Sequence, residues 1–150
     1  MKSQTIAAIA AVFLMASSIA LAHVVVEPRE APAGDTTTYT VRIPSHLEAT
    51  TTAIELEVPP RVEIVAVEKT ALGHEMMQAK DGPLVIRWML NIPADERGEV
   101  KFVARNPKQA GEVAWKARQI YSNGVTVEWT EPKGGKQPAA VTRIVEAGSK

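Results

Sequence analysis

The chain has 150 residues, 17 Lys plus Arg against 17 Asp plus Glu, and no cysteine. That balance offers no basic face for nucleic acid, and the missing thiols exclude disulfides, thiolate metal sites and thiol catalysis. The length fits one domain able to bury its own core.

Lys2 opens the chain with a positive charge, and Ile6 to Leu21 is apolar apart from Ser17 and Ser18. Ala20 and Ala22 then form a small-x-small pattern. Together these features predict a secretory signal peptide over residues 1–22, cleaved between Ala22 and His23. The run is short for a membrane span, and no basic stop-transfer cluster follows it, which argues against an uncleaved anchor. The expected product is one domain over residues 23–150, periplasmic or secreted.

Period-two alternation dominates the remainder of the chain. Strands are expected at residues 38–43, 53–58, 62–67, 84–90, 100–104, 112–121 and 125–130. Pro44, Pro59-Pro60 and Asp81-Gly82-Pro83 punctuate them. Asn123-Gly124 predicts a tight hairpin, since both residues accept positive φ. Lys133 to Pro138 is loose in composition, so the last dozen residues read as a mobile tail or a late edge strand at 141–145. No stretch carries a helical stripe with caps. Seven to eight short strands with frequent turns predict an all-β, immunoglobulin-like antiparallel sandwich.

The chemistry starts at the new N-terminus. After cleavage, His23 would carry an α-amine and an imidazole that can chelate one metal ion, a pair absent from the precursor. Both donors suit Cu(II), and the valine run behind them would hold the terminus rigidly. His46 lies in a loop after a predicted strand. His74, with Met76 and Met77, resembles a soft, Cu(I)-tolerant cluster, although alternate strand residues face opposite ways. Trp88 and Trp115 are expected as core residues, while Trp129 sits near a strand end where an indole can line a surface site. No nucleophile elbow and no phosphate loop is present, and Glu55 and Glu57 read as a solvated strand face.

Three stretches carry a family resemblance: His23-Val24-Val25-Val26-Glu27-Pro28; Tyr39 to Pro44 with Ala49 to Thr52 and Val58-Pro59; and Phe102 to Pro107 with Tyr121 to Trp129. Over roughly residues 23–132 the chain resembles the YcnI-like secreted copper-binding domain, long catalogued as a domain of unknown function. The resemblance implies Cu(II) held by a histidine brace, with the brace on His23 and the nearby tryptophan at Trp129. Relatives commonly carry Pro-x-Glu where this chain has Pro44-Ser45-His46. His46 therefore stands in for the acid, which would add a third nitrogen and make Cu(I) more accessible. Glu48, two residues on, is the alternative ligand.

The implied role is copper storage, trafficking or homeostasis. Copper transporters, chaperones or oxidase assembly factors would be the partners. Many relatives add a C-terminal membrane segment or a second copper-binding domain; neither is legible here, so a soluble carrier is expected. A copper-dependent redox enzyme and a non-metal interaction module are the competing readings.

Overall fold

The computed structural model describes residues 23–45 and 47–148. The expected signal segment, residues 1–22, and His46 lie outside the described residues. No helix occurs among the described residues, and none is long and apolar enough to cross a membrane.

Among the described residues twelve strands form: β1 (Val25–Glu27), β2 (Glu30–Pro32), β3 (Thr36–Ile43), β4 (Thr51–Glu57), β5 (Glu63–Val67), β6 (His74–Gln78), β7 (Leu84–Ile92), β8 (Gly98–Arg105), β9 (Gly111–Trp115), β10 (Ala117–Tyr121), β11 (Thr126–Trp129) and β12 (Ala140–Val145). They build a four-stranded sheet β1-β3-β8-β5, a five-stranded sheet β11-β10-β4-β7-β6 and a small sheet β2-β12-β9. All pairings between them are antiparallel except β12 with β2, which is parallel.

Alternation explains most of this. In β3, Tyr39, Val41 and Ile43 point inward, and in β8 so do Val100, Phe102 and Ala104, all at most 2 % exposed. Register places Tyr39 opposite Phe102 and Val41 opposite Val100, so each inward side chain meets an inward partner across the ladder. An aromatic cluster joins the three sheets. Tyr39 lies 5.4 Å from Phe102 and 5.1 Å from Trp115, and Phe102 lies 5.3 Å from Trp115 and 6.2 Å from Trp88. Such ring pairs add about 0.5–1.5 kcal/mol each beyond the area they bury.

Four strands exceed the seven or eight expected. Three are the short β1 and β2 and the edge strand β6. The fourth arises because residues 112–121 are two strands rather than one. Burial alternates without interruption from Val113 through Trp115, Ala117 and Gln119 to Tyr121. The partner changes nonetheless: β9 pairs with β12, while β10 pairs with β4 and β11. At the break, the Lys116 carbonyl accepts the Glu57 N–H at 2.8 Å. Three further expectations are corrected. The strand at 140–145 lies between β2 and β9, in the middle of its sheet rather than at an edge. In β5 an irregularity between Ile64 and Ala66 shifts the alternation, leaving Val65 exposed and turning Ile64 and Val67 to the core. At the hairpin, Gly124 alone has positive φ, at 84°. Its N–H bonds the Tyr121 carbonyl, the Tyr121 N–H bonds the Val125 carbonyl, and the Asn123 side chain accepts the Val125 N–H. This is a three-residue loop with a glycine bulge.

Asn106 ties the end of β8 to the β2–β3 turn. Its Oδ1 accepts the Tyr39 hydroxyl at 2.5 Å, its Nδ2 donates to the Pro32 carbonyl at 2.8 Å and to Thr37 Oγ1 at 2.9 Å, and its backbone N–H bonds the Asp35 carbonyl. Asn106→Ala leaves the buried Tyr39 hydroxyl without this acceptor and breaks the ties to Pro32 and Thr37. Unfolding in urea should show a loss of about 2–4 kcal/mol.

Tyr39 and Tyr121 are the chain's two tyrosines, and burial pushes both hydroxyls up to about 12. Unfolded tyrosines ionise near pH ~10, so the unfolded chain loses these protons first. The stability they confer is complete below about pH 10 and is lost as pH rises to about 12. Tyrosinate absorbance should therefore stay flat through pH ~10 and rise only with alkaline unfolding.

Candidate metal centre

His23 lies two residues before β1, with Val24 between them. Val24 and Val26 are 2 % and 1 % exposed, and Val25, pointing the other way, is only 9 % exposed. A strand buried on both faces needs an unbroken apolar run, and the three valines supply it. One edge of β1 pairs with β3, Val25 opposite Arg42 and Val26 opposite Val41, and β12 packs against it as well. The histidine is thus fixed by its neighbours in the sequence.

The half-buried His23 ring lies 5.6 Å from the Trp129 indole, the planes inclined at 41°. Trp129 is fully buried, which corrects the expected surface position: it forms the floor beneath His23. Its Nε1 donates to Gln119 Oε1 at 3.3 Å. The Gln119 Nε2 in turn donates to the Pro44 carbonyl at 3.0 Å and to Thr51 Oγ1 at 2.9 Å. One buried amide therefore holds both the indole under His23 and the backbone two residues before position 46. Gln119 escaped the sequence reading. The available signal was a polar residue at an inward position of the alternating strand, between Ala117 and Tyr121.

His23 borders two open hollows. One, of about 240 Å³, is shared with Arg42, Pro44 and Arg97. The other, of about 370 Å³, is shared with Arg29, Lys133 and Arg143. Several of these cations are paired. Arg42 contacts Glu27 at 2.8 Å and Glu99 at 3.0 Å, and Arg143 contacts Glu30 at 2.5 Å. Glu27 holds the Arg42 guanidinium above its ordinary pKa, with help from Glu99. Glu48 is exposed on the bend that follows residue 46. Among the described residues no three His, Cys, Asp or Glu side chains gather around one point to take a metal ion. His23 and Trp129 are brought together; Glu48 shows no described contact with them.

His74 and the methionines are elsewhere. β6 is the opposite edge of the five-stranded sheet from β11, which carries Trp129. His74 pairs with Trp88, Met76 with Ile86 and Met77 with Val85. His74 and Met76 share the inward-facing side of the strand, and Met77 takes the other.

Residues 23–144 match the family model described as "Domain of unknown function (DUF1775)". The chain belongs to this family. The resemblance carried by the three sequence stretches is thus a true membership. The chain is also 35 % identical over 144 residues to the copper-binding protein CutI of Bacillus subtilis (strain 168), an alignment covering 93 % of this chain and 71 % of CutI. Among solved structures it is similar to an uncharacterized Nocardia farcinica protein with an immunoglobulin-like fold, with a TM-score of 0.69 and 21 % identity over 83 % of this chain and 99 % of that one. It is also similar to a non-cellulosomal cohesin from Archaeoglobus fulgidus, with a TM-score of 0.51 and 16 % identity over 83 % and 91 % of the two chains. The DUF1775 chain is accordingly an all-β, immunoglobulin-like sandwich.

Gln119→Leu keeps the volume of the side chain but leaves the Trp129 N–H and the Pro44 carbonyl without this partner. The expected cost is about 2–4 kcal/mol. Tryptophan emission of the folded variant should also change as the indole under His23 loosens.

Proposed function

We propose that this DUF1775 chain is a copper-binding protein that stores or carries copper in the periplasm or outside the cell. Residues 1–22 act as a signal peptide, and residues 23–150 are the working domain. The observation that carries the reading is the position of His23: it is the first residue of the family match, and its half-buried ring rests on the Trp129 indole. The 35 % identity to CutI supports copper as the ligand.

Cleavage after Ala22 would expose the His23 α-amine beside its imidazole. The two nitrogens chelate Cu(II), for which they are well matched donors. The buried valines of β1 hold the backbone of the chelating residue, so little ordering remains to oppose binding. The Trp129 indole lies 5.6 Å from the imidazole, and its π system would favour a cation held close to it. His46 supplies the third ligand as a further nitrogen; the exposed Glu48 is the oxygen alternative. Arg42 and Arg97 border the hollow next to His23, and the Arg42 charge is largely offset by Glu27 and Glu99. Both nitrogens of His23 must be free of protons to bind, so acid releases the metal.

The test is Cu(II) electron paramagnetic resonance and competition titration on the chain beginning at His23. One axial species at one copper per chain, with several coupled nitrogens, is expected. His23→Ala, or a single glycine placed before His23, should each weaken binding more than about 100-fold, since each removes one half of the chelate. Unchanged affinity in the glycine-extended chain would refute the brace. His46→Ala should remove one coupled nitrogen, and Glu48→Gln should leave the spectrum as it was.

A further inference from the structure

We propose that His74 and Met76 form a second site, for a soft monovalent ion such as Cu(I) or Ag(I). This inference rests on β6 and is independent of the His23 reading.

β6 pairs with β7 through five consecutive residues, from His74 opposite Trp88 to Gln78 opposite Leu84, with no irregularity in register. Unbroken pairing fixes the alternation, so the imidazole and the thioether stand on the same face. Two residues along a strand separate their backbones by about 6.6–6.8 Å, a span that two flexible side chains can close around one ion. The start of the strand is pinned. The Gly73 carbonyl accepts the Met89 N–H at 3.1 Å and the Thr70 hydroxyl at 3.3 Å, and Gly73 takes a φ of 84° that favours glycine.

The position is open to an ion. β6 is a sheet edge, and Met76 is 45 % exposed, although it pairs with a fully buried Ile86. The donors are an imidazole nitrogen and a soft thioether sulfur. Glu75, the one carboxylate of β6, alternates to the far face with Met77. Such a pair selects soft ions and discriminates against the hard divalent ions that want oxygen. Cross-strand from His74 lies Trp88, whose indole is fully buried and whose Nε1 has no hydrogen-bond partner among the described residues. Residues directly opposite in a ladder have Cβ atoms about 4.5–5.5 Å apart, so an ion on His74 would sit near this ring and alter its emission.

The chain has three histidines, so His23→Ala with His46→Ala leaves His74 as the sole imidazole. This double variant, beginning at residue 23 and containing every described strand, would be titrated with silver(I) nitrate in chloride-free buffer. Shifts of the His74 ring nitrogens and the Met76 methyl group, together with tryptophan emission, give the readout. We expect both residues to shift together at one Ag(I) per chain, with a fall in emission. Adding Met76→Leu should weaken binding at least 10-fold, and adding Met77→Leu should change it less than 2-fold. The proposal is overturned if the His74 ring does not shift, if Met76→Leu binds like its parent, or if Met77→Leu weakens binding as much as Met76→Leu does.

Discussion

The geometry around His23 depends on one buried amide. Gln119 is fully buried in β10, and it spends both amide protons and its carbonyl oxygen on three different parts of the chain. Burying an amide is costly unless it is bonded, and each partner is equally costly to leave alone. The arrangement is therefore close to all-or-none. It fixes Trp129 on β11, Thr51 at the start of β4, and the Pro44 carbonyl at the end of β3. These points lie in both large sheets, so the amide also sets how the sheets approach each other beneath the first described residue.

The aromatic cluster serves the other end of the same requirement. Tyr39, Phe102, Trp115 and Trp88 come from three sheets and meet within 6.2 Å. With no disulfide available, nothing covalent holds these sheets together. The chain relies on close packing and on buried polar groups such as Asn106 and Gln119. Phe102 to Pro107, the first part of the third family stretch, turns out to serve this purpose: Phe102 sits at the centre of the cluster and Asn106 pins the β2–β3 turn. Its chemistry is structural, and the stretch marks the fold more than the metal centre.

Alternation made the fold class legible, because inward and outward residues differ in polarity along almost every strand. What it could not reveal was a change of partner. Residues 113–121 keep one rhythm while passing from one sheet to another at Lys116, because the buried face stays buried. Nor could it reveal the slip in β5, where Val65 is an extra residue on an edge. β6 was hidden for a related reason: an edge strand needs no apolar face, and His74-Glu75-Met76-Met77-Gln78 has no clear one. At the candidate metal centre, the buried segment behind His23 was legible from the valines. The depth of Trp129 was not, since a tryptophan beside Glu128 near a strand end reads the same whether its ring turns out or in. Gln119 needed the register of β10, which only the fold supplies.

The placement of the two proposed sites follows from how a sandwich closes. β11 and β6 are the two edges of the same sheet. At the β11 edge, the Gln119 network holds a buried indole 5.6 Å from the His23 ring. At the β6 edge the donors are an imidazole and a thioether beside a second buried indole. As proposed, His23 would take Cu(II) and the β6 pair Cu(I). A carrier built this way would meet each oxidation state with its own sheet edge.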